Sequence, residues 1–248
     1  MATNFGDLLD FLLRNHEAFF RGLFEAQQVG TQALILIASA FVLLGIYGLA
    51  MGAPGGLRQS ISSAVKVPIL FLISLIVCFP ALFVITVLIG SKLSMIKMVT
   101  MILFAIGVSS ILLASFATVA AFFAITGSGY DFMKVFHVSV FSFSGIWGMA
   151  VLWKGLAFML RVSDLYPESG RLIMLIWIAI YAFVGAQMAW ALRPFIGEPK
   201  LPFELFRRRG SDLNFYTSVL ISMQLMKGRA TRITAQDDPK RQQPVRAE

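Results

Sequence analysis

Between Glu25 and Asp131 the chain has no acidic residue. A proton or cation relay in a membrane bundle is built on carboxylates, which are expensive to bury and stand out where they occur. None is present in that stretch, so a carboxylate relay there is excluded. The single cysteine, Cys78, lies inside an apolar block, which rules out an intramolecular disulfide and any Cys/His metal spacing. No basic segment opens the chain, and Asp7, Asp10 and Glu17 fall where a cleaved signal peptide avoids acids. The first long apolar block is therefore expected to act as its own insertion signal.

Charge as a whole is also scarce. Charged residues make up 14% of the 248 and hydrophobic ones 58%, with a mean hydropathy of +0.79, whereas a soluble domain carries about a quarter charged residues. The apolar residues gather in blocks near 31-51, 67-89, 98-125, 135-155 and 172-192, each close to the ~20 residues that cross a bilayer as a helix. Unbroken blocks of this length satisfy their backbone only as helices, since a barrel needs alternating strands of about ten residues. The expected fold is all-α: a polytopic membrane protein with five transmembrane helices over 31-193. Links such as "GAPGGLRQSISSAVK" and "TGSGYDFMK" are short and rich in breakers, so neighbouring helices run antiparallel.

The flanks differ from the spans. In residues 1-30, Phe5, Leu8, Leu12, Phe19, Phe20 and Leu23 recur at three and four residues while Asp7, Arg14, Glu17 and Arg21 fall off that stripe. This predicts an amphipathic helix that lies in the interface with its apolar face down. After the last span, 194-229 mixes prolines, aromatics and arginines and includes a weaker amphipathic candidate, "LNFYTSVLISMQLMKGR". Residues 230-248 have too little apolar surface to fold and read as a disordered tail.

Net charge is +8, and residues 193 to 248 hold 11 Lys/Arg against 6 acids. Basic residues accumulate on the cytoplasmic side of membrane proteins, so the C-terminus is expected in the cytoplasm. Arg58, Lys66 and Lys134 then share its side, and Arg14, Arg21, Lys92 and Lys97 face out. A basic tail beside a bilayer is drawn to anionic headgroups, each near-surface cation contributing about 1 kcal/mol. No nucleic-acid recognition fold accompanies the charge, so nucleic acid is not among the expected partners. The contact residues are Arg193, Lys200, Phe203, Phe206, Arg207, Arg208 and Arg209. The residue before Pro194 leaves the α region, ending the last span at Arg193. The prolines then hold an extended strap whose aromatics face lipid, or a docking protein, while its cations face phosphates.

Catalytic constellations are few. "GVSS", 107 to 110, with His137 on the next span, is similar to the Gly-x-Ser-Gly and histidine dyad of rhomboid-type intramembrane proteases. At 1.5 Å per residue, Ser109 and His137 differ by about 19 Å in depth, against the ~3.2 Å that a nucleophile and its base require; the second glycine is also missing. His137 reads as an interfacial histidine or a pH-responsive group, and Lys154 as a snorkelling cation. Ser110, Ala114, Ala117, Thr118, Ala121, Ser144 and Gly148 read as small residues that let helices approach. Pro80 kinks the second span, and no matching break marks an inverted repeat. No cofactor or metal is expected.

The order of elements, carried by 62 to 90 ("SSAVKVPILFLISLIVCFPALFVITVLIG") and 107 to 141, with Lys66 and Pro68 at the mouth of the second span and Gly129 and Tyr130 in a short loop, resembles the YIP (Ypt-interacting protein) family of five-span membrane proteins. The resemblance implies a scaffold or adaptor without catalytic residues, here a prokaryotic relative in the bacterial cytoplasmic (inner) membrane. The short amphipathic start and long basic tail depart from the family, so its guanosine-triphosphatase partners are not carried over. The leading expectation is a non-enzymatic protein acting through lipid, a second copy of itself or a membrane complex. The alternative is a small transporter or channel component, which would require a polar path joining Ser115, Thr118, His137 and Gln187.

Overall fold

A computed structural model describes residues 12, 16–26, 29–88, 94–127, 129–162, 168–196 and 215–236, and among these no residue lies in a strand. Within the described residues seven α-helices run in order: α1 (His16–Glu25), α2 (Gly30–Gly52), α3 (Leu57–Leu88), α4 (Met95–Ile125), α5 (Tyr130–Val162), α6 (Glu168–Ala191) and α7 (Phe215–Gln236). Four of them, over Gly30–Gly55, Leu57–Val87, Met95–Ile125 and Tyr130–Phe158, are long and apolar enough to cross a membrane. The chain is therefore a helical membrane protein. α6 carries a shorter apolar segment, Leu175–Ala191.

Helix ends depart from the expected spans for local reasons. α3 starts at Leu57, ten residues before the expected 67, because Gly56 is the last breaker and 57 to 66 contain neither glycine nor proline. A short 3-10 turn, Ala53–Gly55, and Gly56 at φ +85° reverse the chain between α2 and α3; the left-handed conformation suits glycine. Gly127, at φ +75°, does the same between α4 and α5. α5 begins at Tyr130 rather than 135. α7 continues to Gln236, past the expected boundary at 229, since no proline occurs before Pro239. Of the tail expected to be disordered, 237–248 lie outside the described residues.

α2 and α4 form the centre, with α3 packed on α2 and α5 on α4. α6 lies outside α3, and α7 touches α5 and α6. The α2–α3 contact is made by backbone. A Cβ added at Gly48 would lie 2.7 Å from Ala64 Cα, and one at Gly52 would lie 2.6 Å from Ser60 Cα. Between α3 and α6, the Trp177 indole donates to the Cys78 carbonyl at 3.2 Å. α3 remains helical through Pro68 and Pro80.

α1 is not presented to lipid in the way its amphipathic pattern suggested. Phe19 stacks on Phe104 of α4 at 4.0 Å and Phe20 meets the same ring edge-on. Leu12 covers Gly107, and Phe20 occupies the space beside Gly155 of α5. At the other end Lys97 donates to the Phe24 carbonyl at 2.6 Å, capping α1. The helix thus runs antiparallel along α4, its apolar face covered by protein and Glu17, Arg21 and Glu25 exposed. Glycines at 107 and 155 make the groove, and the aromatic stripe fills it.

Candidate functional site

The polar side chains of α3 gather on one face. Gln59, Ser62, Ser63 and Lys66 are spaced at 0, 3, 4 and 7, which places them in one stripe, and all four are buried. What covers them is the start of the strap. The Gln59 side-chain amide donates to the Pro194 carbonyl at 3.0 Å and to the Phe195 carbonyl at 2.9 Å. Ser63 donates its hydroxyl to the Phe195 carbonyl, and the Lys66 ammonium donates to the Pro194 carbonyl at 3.2 Å. Ser62 Oγ has no partner among the described residues. Phe195 and Ile196 are buried as well. Leaving α6, the chain has lost its helical acceptors' partners, and three donors from α3 take up the exposed carbonyls.

This changes the reading of the strap at its root. Phe195, one of the strap aromatics expected to face lipid, packs against protein together with Ile196, where the donors of α3 hold the chain inward. Arg193, half-buried, lies with its guanidinium 3.5 Å from the centre of the Trp190 ring, a cation–π contact. Lys200, Phe203, Phe206, Arg207, Arg208 and Arg209 lie outside the described residues. Gln59 and Ser63 were not singled out from the sequence, although the 0, 3, 4, 7 polar spacing beside a helix breaker was available to find them.

A second polar centre lies between α2 and α5. The Tyr47 hydroxyl is hydrogen-bonded to His137 Nδ1 at 2.7 Å, with both residues fully enclosed. Phe141 and Phe136 pack edge-on against the pair, and His137 Nε2 has no partner among the described residues. His137 is therefore a buried residue bridging two helices. The earlier start of α5 at Tyr130 carries it a further turn into the bundle.

Ser109 is occupied elsewhere. Its hydroxyl donates to the Ser144 carbonyl at 3.0 Å, seven residues and about 10 Å along α5 from His137. The offset is smaller than the expected 19 Å, again because α5 starts early, and is still too long for a dyad. Ser109 also lies over Gly148, where an added Cβ would come 2.0 Å from its Oγ. The expected use of Ser144 and Gly148 in close packing is thus met by Ser109. Ser110 and Ala117 are buried, but Thr118 faces outward.

The four residues of the alternative polar path are not brought together. Ser115 and Thr118 are exposed on α4, their hydroxyls bonded to the Ile111 and Ser115 carbonyls of their own helix. His137 is enclosed with Tyr47, and Gln187 is on α6. A void between α2, α3 and α4, lined by Leu44, Pro68, Phe71 and Leu103 among others, measures about 10 Å³ and is apolar. Lys154 is exposed on α5. Among the described residues no three His, Cys, Asp or Glu side chains are grouped to hold a metal. Comparison with family models, curated proteins and solved structures finds no match to this chain.

Proposed function

We propose that this chain is a five-span, non-enzymatic scaffold or adaptor of the YIP type in the bacterial inner membrane. α6 serves as the fifth span and the C-terminus is cytoplasmic. It acts through lipid and protein contacts of the segment that begins at Arg193 and continues through Lys200, Phe203, Phe206 and Arg207 to Arg209. The observation that carries this reading is the root of that segment, held against α3 by Gln59, Ser63 and Lys66. A fixed root lowers the ordering entropy that a strap loses on engaging a surface or partner. The Tyr47–His137 and Ser109–Ser144 bonds support the same reading, since they join helices to each other.

Purified protein in sealed vesicles should leave ion and small-solute permeability at the level of empty vesicles. In native membranes, photo-cross-linkers at 203 and 206 should capture lipid or one discrete protein. Permeability well above that of empty vesicles would overturn the scaffold reading in favour of transport.

A further inference from the structure

α7 is mounted with its polar face inward. Lys134, in the second turn of α5, donates from its ammonium to both the carbonyl and the hydroxyl of Ser218. Ser222, one turn on and 2% exposed, donates its hydroxyl to the same carbonyl at 3.2 Å. Beyond that contact the helix is largely apolar and exposed: Tyr216 is 47% exposed, Leu220 59%, Ile221 39%, Met223 51% and Leu225 48%, and Tyr216, Leu220 and Met223, spaced at four and three, fall in one stripe away from Ser218 and Ser222. A helix on a protein surrounded by water has the reverse arrangement.

Position and charge identify what covers the stripe. Lys134 is the fifth residue of α5, close to the Gly127 reversal between α4 and α5, which puts α7 near the end of the apolar spans, toward headgroup depth. From Phe215 to Gln236 the sequence has no Asp or Glu and has Lys227, Arg229 and Arg232 in its second half, with Lys227 exposed four residues beyond Met223. An outward apolar stripe continued by Lys227, on a helix with no acid, is the pattern of a helix seated in an anionic lipid surface.

We propose that α7 is a lipid-binding helix: its Tyr216–Leu220–Met223 stripe enters the acyl boundary, and the positive charge of its acid-free second half, with Lys227 in line with the stripe, draws it to anionic phospholipid headgroups. This rests on the reading of the C-terminal region as a lipid-contacting segment and names the helix and the lipid class. Lys134 acts as the clamp that turns the helix stripe-outward.

The test uses the full chain with Cys78→Ser and Met223→Cys, labelled with an environment-sensitive fluorophore and reconstituted in phosphatidylcholine vesicles with and without phosphatidylglycerol. A label at 223 should be blue-shifted and quenched by acyl-chain nitroxides, whereas one at Gln224→Cys should be quenched less by them and more by aqueous iodide. Changing Lys227, Arg229 and Arg232 to Gln should lower nitroxide quenching several-fold in phosphatidylglycerol vesicles and abolish the difference between the two compositions. Iodide quenching at 223 without nitroxide quenching, or copy-to-copy cross-linking through 223, would overturn the proposal. Resistance of the same preparation to alkaline carbonate separates this from failure of the membrane reading itself, which would release the whole chain.

Discussion

Gly48 of α2 rests directly on the backbone of α3 at Ser63, where an added Cβ would lie 2.5 Å from the carbonyl oxygen. Backbone cannot swing aside as a side chain can, so the two helices must separate to admit a methyl group. Gly48→Ala should destabilise the bundle by about 1–3 kcal/mol, the usual cost of overpacking. Gly45→Ala, whose Cβ would meet the Ala64 oxygen at an ordinary 3.5 Å, should be tolerated. Thermal unfolding in detergent distinguishes the two, and equal stability for both would contradict the close approach.

The Ser109–Gly148 contact predicts a non-additive pair. In Gly148→Ala the new methyl meets the Ser109 hydroxyl at 2.0 Å, with the Ala105 carbonyl at 3.0 Å behind it. Ser109→Ala removes the first obstacle and leaves the second, so the double variant should be more stable than Gly148→Ala alone while remaining below wild type. Contacting residues typically couple by about 0.5–3 kcal/mol. A strictly additive cycle, measured by unfolding, would place the two residues apart.

The Tyr47–His137 pair behaves differently because each partner satisfies the other. Tyr47→Phe leaves His137 Nδ1 buried without a partner, and His137→Leu does the same to the Tyr47 hydroxyl. Each should cost about 1–2 kcal/mol, in the range of hydrogen bonds between membrane helices. The combined Tyr47→Phe/His137→Leu variant should recover most of that, since exchanging both partners for apolar groups is close to neutral. Additive losses in the double variant would point to a role for one residue outside the pair.

The membrane blocks were legible because hydrocarbon leaves a long apolar run no alternative to a helix. Neighbours were not, because span composition carries no period that names a partner: Gly48 and Gly148 look alike in sequence, yet one meets backbone and the other a hydroxyl. The polar start of α3 read as a link since Arg58, Gln59 and Ser60 are out of place in lipid, and only the folded chain supplies the carbonyls of 194 and 195 that explain them. α1 shows the converse. Its amphipathic stripe was plain, but Phe19 and Phe20 find Phe104 and the gap at Gly155 before they find lipid.

Anchoring of the strap root is open to direct measurement. Gln59→Leu removes one of the two donors to each of the Pro194 and Phe195 carbonyls, Lys66 and Ser63 keeping the other, at a cost of about 0.5–1.5 kcal/mol per lost hydrogen bond. The root should then open locally, while Trp177 keeps α6 on α3 at its far end. Hydrogen exchange should rise in 195–196 and remain unchanged around 177–181. A uniform rise along α6 would mean that Gln59 supports the whole helix, not the strap alone.

Beyond the root, Arg207, Arg208 and Arg209 test the lipid contact. At about 1 kcal/mol per cation near an anionic surface, replacing all three with alanine should weaken binding of a peptide spanning 197–214 to phosphatidylglycerol vesicles by about two orders of magnitude at low salt, and flatten its dependence on salt. Binding unchanged by the substitution would assign the strap to a protein partner.

Orientation follows from which groups share an end of the bundle. Gln59 and Lys66, at the start of α3, hold the strap, and Lys134, at the start of α5, holds α7. The α2–α3 turn, the α4–α5 turn, the strap root at 194–196 and the start of α7 therefore lie at one end of the bundle. In the proposed orientation, which rests on the basic excess of the tail, that end is the cytoplasmic one. Reporters fused after Gly127 and at Glu248 should be active together in the cytoplasm and silent outside, and one inserted before Lys97 should behave in the opposite way. Opposite signals from 127 and 248 would contradict the Lys134–Ser218 bond itself, whereas a common external signal would reverse only the charge-based assignment.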